Sequence, residues 1–286
     1  SITGGTGQDS VTLLTTLMGG TIDLGADSDV LTLAAGMNEL TAVNVEVITG
    51  SMSDDTLILS NAQNGTIIDL GDGTDTLILN GMGNTVTISN VETLIGGTGD
   101  DVVTLDTALV GGTIDLGAGN DTLILNNGTN TLTVSNVETI RGGTGTDTIT
   151  LGDGGNTVTV YDVETLVGGA GYDDVILGND SNTITLSNIE AVTGGTGQDS
   201  VTLLTILMGG TIDLGADSDV LTLASGTNEL TALNVEYIVG STSDDTLTLS
   251  NAQTGTYIDF QGGNDTLILN GVGNTVTVSN VEIITG

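Results

Sequence analysis

The chain has 286 residues, of which 37 are acidic and only one, Arg141, is basic, so its formal net charge is −36. It has 45 glycines and lacks Pro, Cys, His and Trp. This composition excludes a disulfide framework and binding to nucleic acid, and no apolar run approaches the roughly 18 residues of a membrane helix. Apolar residues still make up 37% of the chain and recur in short alternating runs, which excludes a disordered acidic tail.

An aspartate that follows a glycine-rich turn and precedes two apolar positions recurs along the whole chain. Successive copies are always 20 or 26 positions apart. A fixed period in this range indicates supersecondary units that bury their apolar faces by stacking. The twelve copies are Asp9, Asp29, Asp55, Asp75, Asp101, Asp121, Asp147, Asp173, Asp199, Asp219, Asp245 and Asp265.

Each aspartate opens an alternating run that predicts a strand with one buried face, as in residues 75–79 and 121–125. In the 20-residue units a second strand follows, such as residues 21–24, and the 26-residue units carry a longer one, such as residues 84–92. We therefore predict an all-β fold, a parallel β-solenoid of the β-roll or β-helix kind. It would have about twelve coils of 20 or 26 residues on a right-handed path.

The short units also belong to a longer repeat. Residues 4–50 match residues 194–240 at 41 of 47 positions, with a shift of 190 positions. We predict one continuous array over residues 1–286, because no linker interrupts the repeats. Both ends of the chain fall inside a repeat, which favours either an excerpt of a larger protein or a subunit that stacks end to end.

Stacking would turn each repeated residue into a row. Asparagines at 44, 90, 136, 188, 234 and 280 are expected to hydrogen-bond to backbone at a bend. The glutamates that follow them, including Glu92, Glu138 and Glu164, are expected to face water. Outward isoleucines on the first strand offer lateral contacts: Ile58, Ile78, Ile124, Ile176 and Ile268.

Five turns share one nine-residue pattern, G-G-x-G-x-D-x-U-x, in which U is a large aliphatic residue. They lie at residues 4–12, 96–104, 142–150, 168–176 and 194–202. This pattern resembles the calcium-binding repeat of the RTX (haemolysin-type) family. The resemblance implies a β-roll in which Ca²⁺ lies between stacked turns, held by the aspartate and by backbone carbonyls, in a protein exported by bacteria. Unlike that family, the spacing here predicts turns along one edge only.

The other seven turns are degenerate, but five of them have an additional aspartate six residues before the repeated one. These are Asp23, Asp69, Asp115, Asp213 and Asp259, and two of the five turns also contain Asp27 or Asp217. Such turns supply two or three carboxylates, and calcium needs six to eight oxygen ligands. Together with the twelve repeated aspartates, these seven are the candidate metal ligands. The alternative is that Asp and Gly are present only because they favour turns.

The charge density favours cations as partners. Dividing 36 net charges by twelve predicted coils gives three per coil, or one per roughly 1.6 Å if coils are about 4.8 Å thick. Double-stranded DNA carries one charge per about 1.7 Å and condenses counterions. With one basic residue in the chain, neutralisation is expected from divalent cations or a basic partner.

Function is predicted from repetition. The chain has no His, Cys or Lys, and its carboxylates recur as equivalent copies, so we expect no enzyme and no catalytic residue. The leading hypothesis is an extracellular, secreted or cell-surface bacterial protein, stabilised by calcium, in a filament, sheath, surface layer or adhesin stalk. Its partners would be further copies, end to end or side by side, and a cell surface or extracellular polymer.

The alternative hypothesis is a module that binds ice, a mineral or a polymer surface. Paired threonines would form a flat array for this purpose. The pairs are Thr85 and Thr87, Thr131 and Thr133, Thr157 and Thr159, Thr183 and Thr185, and Thr275 and Thr277. Threonine is also favoured in strands for reasons unrelated to binding.

Overall fold

The structure is a computed structural model that describes residues 1–271 and 273–286. The chain divides into two compact units, residues 1–147 (unit 1) and residues 148–286 (unit 2), and each is described by itself. Strands and turns make up the described part of both units, which confirms the predicted all-β class. No helix among the described residues is long and apolar enough to span a membrane.

Unit 1 contains sixteen strands. In chain order they are β1 (Ile2–Gly5), β2 (Ser10–Thr12), β3 (Met18–Gly25), β4 (Val30–Thr32), β5 (Glu39–Val43), β6 (Val47–Ser51), β7 (Thr56–Leu59), β8 (Asn64–Gly71), β9 (Thr76–Ile78), β10 (Thr85–Ser89), β11 (Thr93–Gly97), β12 (Val102–Leu105), β13 (Val110–Gly117), β14 (Thr122–Ile124), β15 (Thr131–Ser135) and β16 (Thr139–Arg141).

Unit 2 contains sixteen strands among its described residues. They are β17 (Thr148–Leu151), β18 (Thr157–Tyr161), β19 (Thr165–Val167), β20 (Asp174–Leu177), β21 (Thr183–Ser187), β22 (Ala191–Thr193), β23 (Ser200–Leu203), β24 (Met208–Asp213), β25 (Val220–Thr222), β26 (Glu229–Leu233), β27 (Tyr237–Val239), β28 (Thr246–Leu249), β29 (Thr254–Asp259), β30 (Thr266–Leu269), β31 (Thr275–Ser279) and β32 (Ile283–Thr285).

Within each unit the chain alternates between two parallel sheets. The odd-numbered strands follow one another in one sheet, here called the odd sheet, and the even-numbered strands follow one another in the even sheet. In unit 1, for example, Thr56 pairs with Thr76 and Thr76 pairs with Thr93, both in parallel register. One strand in each sheet makes one coil, so the predicted parallel β-solenoid is confirmed. The right-handed path and the single continuous array stay predictions.

The coil length differs from the prediction. Equivalent positions of neighbouring coils are 20 positions apart in some coils, as for Thr56 and Thr76, and 17 positions apart in others, as for Thr76 and Thr93. Each unit has eight strands in each sheet among its described residues. The prediction of twelve coils is therefore too low in number, and its longer coil length is wrong. The longer interval between repeated aspartates covers one short coil and about half of the next.

The repeated aspartates therefore lie on two edges of the solenoid. We call the loops that lead into odd-numbered strands the odd edge and those that lead into even-numbered strands the even edge. Asp9 and Asp29 precede β2 and β4 on the even edge, whereas Asp55 and Asp75 precede β7 and β9 on the odd edge. The prediction that the turns occupy a single edge is wrong, because each longer interval moves the aspartate to the other edge.

The core of each unit lies between its two sheets. Side chains alternate along each strand, so that Leu57 and Leu77 are completely buried, whereas the neighbouring Ile58 and Ile78 point outward and are half-buried. A fully buried aliphatic side chain contributes about 1.5–3 kcal/mol to stability. Because each coil buries only a few such side chains, it depends on the coils above and below it.

The alternation predicts unequal effects for two adjacent residues of β9. Leu77→Ala should destabilise unit 1 by about 2–5 kcal/mol, because it removes core volume that cannot be refilled. The matched variant Ile78→Ala should cost less than about 1 kcal/mol, since its side chain is outside the core. Urea unfolding monitored by circular dichroism measures both. Equal costs for the two substitutions would contradict the assigned strand orientation.

Candidate functional site

The edges of each unit are held by hydrogen bonds from backbone to side chain between neighbouring coils. The Asp101 N–H donates to Oδ1 of Asp121 at 2.7 Å, and the Asp121 N–H donates to Oε2 of Glu138 at 2.7 Å. In each pair, the side chain of the later coil accepts the backbone N–H of the earlier coil. We call such a run of residues a ladder. It satisfies donors that lie at the strand starts and have no partner within the sheet.

A complete ladder has five members in a fixed order. In one of them the Gln63 N–H donates to Oδ1 of Asn84 at 3.1 Å, and both the N–H and the amide of Asn84 donate to Oδ1 of Asp101, at 2.8 and 2.7 Å. Asp121 and Glu138 complete it. The order is Gln or Leu, Asn, a first aspartate, a second aspartate and Glu.

The same order recurs on both edges of both units, in whole or in part. On the even edge of unit 1, one ladder consists of Asp9, Asp29 and Glu46, and a second consists of Gln63, Asn84, Asp101, Asp121 and Glu138. On the odd edge, one ladder consists of Leu17, Asn38, Asp55, Asp75 and Glu92, and a second consists of Leu109, Asn130 and Asp147. Among the described residues of unit 2, the even edge has one ladder of Asn156, Asp173 and Glu190 and a second of Leu207, Asn228, Asp245, Asp265 and Glu282. The odd edge has one ladder of Asn182, Asp199, Asp219 and Glu236 and a second of Gln253 and Asn274.

Glycine in the turns lets the coils approach closely enough for the ladders to form. A Cβ placed on Gly96, at the start of the turn before Asp101, would lie 2.2 Å from the carbonyl oxygen of Leu116 in the next coil. The turn before Asp173, which has the same full pattern, needs glycine for a second reason, because Gly171 has a φ of +128°. The G-G-x-G-x-D pattern is thus explained by packing and backbone conformation.

The first ladder aspartate often closes its own turn with its second oxygen. Oδ2 of Asp55 accepts the N–H of Ser51 at 3.1 Å, and Oδ2 of Asp9 accepts the N–H of Gly5 at 3.0 Å. The donor is the residue four positions earlier in each case. With Oδ1 bound to the ladder, both oxygens of Asp55 have a hydrogen bond.

In the turn before a second ladder aspartate, the N–H four positions earlier donates to another residue. Oδ1 of Asp69 accepts the N–H of Gly71 at 3.2 Å and the amide of Asn90 at 2.7 Å. Gly71 is four residues before Asp75, so its N–H is no longer available to Oδ2 of Asp75. That oxygen is buried and accepts no hydrogen bond.

A buried, unpartnered Oδ2 is common to every second ladder aspartate of the described residues. The five are Asp29, Asp75, Asp121, Asp219 and Asp265, and the first aspartates Asp101 and Asp173 have one too. A buried polar atom without a partner costs about 1–3 kcal/mol, and more when it is charged. These oxygens are therefore where a proton or a cation would relieve the largest cost.

Burial shifts the protonation of the second ladder aspartates. Desolvation raises the pKa of Asp75 to about 7; the hydrogen bond from the Asp55 N–H opposes it, and the nearby carboxylates of Asp55 and Glu92 add to it. The same kinds of cause raise the pKa of Asp121 and of Asp219 to about 6 and raise that of Asp265. Without a counterion, these carboxyls hold their protons to a higher pH than an ordinary aspartate does.

The seven additional candidate ligands are arranged differently. Asp23, Asp69, Asp115, Asp213 and Asp259 each accept the side-chain amide of an asparagine in the next coil. The hydrogen bond from Asn280 lowers the pKa of the half-buried Asp259. Asp27 and Asp217 are exposed and have left-handed φ angles of 85° and 83°. In the part of the chain that the structure describes, no three acidic side chains converge on a point where they would hold a metal ion.

One expectation about the rows is wrong, and another covers only part of what the structure shows. The prediction that the asparagine row binds backbone is wrong, because Asn44 donates its side-chain amide to Oδ1 of Asp23 and Asn90 does the same to Asp69. Its members have left-handed φ angles near 50°, such as 54° for Asn90. Glu92 and Glu138 are expected to face water; both are half-buried, and each also accepts the N–H of a second ladder aspartate.

Sequence reasoning missed the asparagine and glutamate members of the ladders as a set. A signal for them exists in the sequence. The ladder asparagine precedes the first aspartate by 17 positions, as Asn84 precedes Asp101, and the glutamate follows the second by 17, as Glu138 follows Asp121. This constant offset equals the length of one short coil.

The residues fit calcium in donor chemistry. Calcium prefers carboxylate and carbonyl oxygens, and the unpartnered Oδ2 of each second ladder aspartate is a buried anionic oxygen beside a glycine-rich turn. Because three carboxylates do not converge among the described residues, such a site would use the second aspartate together with backbone carbonyls. When bound, calcium would supply positive charge to an edge that has almost none of its own.

Comparison of the sequence with protein-family models and with curated proteins gives no match. The resemblance to the RTX repeat therefore rests on the turn motifs.

The raised pKa values predict that the metal-free protein is most stable in acid. A carboxyl whose folded pKa exceeds its ordinary value of 3.8 stabilises the fold below that value, and the contribution is lost as the pH rises through about 6 to 7. In EDTA, the melting temperature should therefore be higher at pH 5 than at pH 8. Thermal melts followed by circular dichroism measure this. A melting temperature that rises over the same interval would show that other carboxylates dominate.

The ladder predicts opposite outcomes for two substitutions of Asp121. Asp121→Ala leaves the buried Asp101 N–H without an acceptor and should cost about 1–3 kcal/mol. Asp121→Asn keeps an Oδ1 acceptor and removes the buried negative charge, so at pH 8 in EDTA it should be at least as stable as the unsubstituted chain. Urea unfolding distinguishes them. Equal destabilisation by both variants would argue against the accepting role of Oδ1.

Proposed function

We propose that this chain is an extracellular structural repeat protein, stabilised by calcium, that forms part of a filament, sheath, surface layer or adhesin stalk. The observation that carries the proposal is the unpartnered Oδ2 of every second ladder aspartate described. It recurs on both edges, and each such carboxylate lies next to another ladder carboxylate. Divalent cations at these positions would stabilise every few coils in the same way.

Repetition supports a structural role over catalysis. The ladders are near-equivalent copies, so no edge position is chemically distinguished in the manner of an active site. A stack of coils joined by core packing and ladders offers length and stiffness. We therefore assign no enzymatic activity to the chain.

The location and partners follow from the same chemistry. Secreted and cell-surface surroundings rich in calcium would keep weak sites made of carbonyl and carboxylate oxygens occupied. The RTX resemblance of the turns supports bacterial export. Further copies of this chain, end to end or side by side, and a cell surface or extracellular polymer are the proposed partners.

The alternative, a flat array of paired threonines that binds ice, a mineral or a polymer, has less support. In unit 1, Thr85 and Thr87 lie on β10 of the even sheet, whereas Thr131 and Thr133 lie on β15 of the odd sheet. The pairs of unit 2 are divided between sheets as well. The single array expected from these pairs is therefore wrong.

Calcium should raise the melting temperature of the protein at pH 8 relative to EDTA. A site that binds only the folded state adds about 2.7 kcal/mol at a concentration one hundred times its Kd. Asp121→Asn should reduce this gain. Asp106→Asn removes one charge from an exposed loop residue outside the ladders and should leave the gain unchanged. Magnesium should have a weaker effect, because it demands a stricter geometry.

Circular dichroism and scanning calorimetry with calcium, magnesium and EDTA provide these measurements. Identical melting in calcium and in EDTA would overturn the calcium-dependent part of the proposed function. An equal loss in both aspartate variants would instead assign calcium to the general charge of the edges.

A further inference from the structure

The outer face of the odd sheet in unit 2 is uncharged over most of its area. Its central column consists of six residues in direct register: Thr183, Ser200, Val220, Tyr237, Tyr257 and Thr277. A second row runs beside it through Thr165, Thr185, Thr202, Thr222, Val239, Asp259 and Ser279, and Asp259 is the one charged residue in these two rows. We call these two rows the neutral face. In a chain of net charge −36, such a face stands apart from the acidic edges.

Two large rings are exposed on this face. Tyr237 is 52% and Tyr257 is 40% exposed, and their ring centroids are 6.4 Å apart with the planes tilted by 44°. The rings contact each other and leave their remaining surface in water. Adjacent exposed apolar groups of this size are typical of contact surfaces.

The apolar character of this column recurs in the other copy of the long repeat. The positions of Val220, Tyr237 and Tyr257 correspond to Val30, Val47 and Ile67 on the even sheet of unit 1, which also pair in register. Ile67 is 53% exposed. Two of the three residues differ between the copies, but all three positions are apolar in both, although no core requires it.

We propose that the neutral face is a docking surface for a second copy of this chain, packed face to face. The inference rests on the proposed structural role and specifies its lateral contact. Two chains of charge −36 repel each other wherever their edges meet. A neutral face meeting a neutral face places the ladder carboxylates at the rim, where water and cations screen them. A two-fold symmetric contact brings the same patch of both copies together, so threonine, valine and tyrosine would meet threonine, valine and tyrosine.

The expected contact is weak. The two rows cover seven strands, which at a spacing of about 4.8 Å and with about five residues of 3.3 Å each give a face of roughly 29 by 17 Å. This is about 500 Å² per partner, less than the roughly 800 Å² of a standard stable interface. Association should therefore strengthen with protein concentration, and also with salt, because salt reduces the repulsion between edges.

The experiment is sedimentation equilibrium of the full chain with calcium, at low and high salt. We expect a monomer–dimer equilibrium with more dimer at high salt. The double variant Tyr237→Glu, Tyr257→Glu should weaken it at least about tenfold, since it places like charges opposite each other. The double variant Tyr237→Val, Tyr257→Ile restores the residues of the other copy and should stay within about threefold. Tyr172→Glu, at a turn residue that is 59% exposed, should behave like the unsubstituted chain.

Several outcomes would overturn the proposal. These are a monomer under all conditions, a dimer that dissociates as salt rises, or unchanged association of the glutamate variant. If that variant loses its strand signal in circular dichroism, Tyr237→Thr, Tyr257→Thr replaces it, and unchanged association of the threonine variant would also overturn the proposal. Tyrosine-dependent binding of an insoluble neutral polysaccharide by a monomeric chain would assign the face to a glycan instead.

The proposal and the proposed function fail in different ways. A monomeric chain that keeps its strand signal and its calcium response would refute docking alone. A chain that associates through the tyrosines but melts identically in calcium and in EDTA would refute calcium stabilisation alone.

Discussion

The backbone N–H of the residue just before each strand needs an acceptor, and in most coils a side chain from the next coil provides it. Parallel sheets satisfy the middle of their strands, but the edges of a flat solenoid leave donors that the sheets cannot bond by backbone alone. Asn84, Asp101, Asp121 and Glu138 show the solution in sequence. Acidic residues serve here first as buried acceptors, and the large negative charge of the chain is partly a consequence.

That solution creates a second problem, which links structure to function. A carboxylate has two oxygens. In a second ladder aspartate the earlier coil supplies a partner to Oδ1, but the turn supplies none to Oδ2, because Asp69, Asp115 and Asp213 accept the neighbouring N–H. The resulting cost raises the pKa of Asp75 and Asp121. Under the proposed function, divalent cations would compete with protons for the same group, and stability, pH and cation supply would be coupled through it.

The sequence was sufficient for the fold class and for the positions of the repeated aspartates, but not for the coil length. Glycine turns and alternation mark strands locally, so strands such as β9 and β14 follow directly from residues 75–79 and 121–125. The register also depends on coils whose ladder member is not an aspartate, such as the coils of Asn84 and Glu138. Counting the repeated aspartates misses these coils. The different roles of Oδ1 and Oδ2 of the ladder aspartates also could not be predicted, because they depend on which backbone N–H lies within hydrogen-bond distance of each oxygen.

The two edges bear the same ordered series, displaced along the chain by the interval that separates Asp55 from Asp101. A gene segment encoding that interval can therefore be duplicated or deleted by recombination without breaking a ladder, since the insertion merely exchanges the roles of the two edges. Such a protein can evolve its length in fixed increments while the hydrogen bonds between neighbouring coils stay the same.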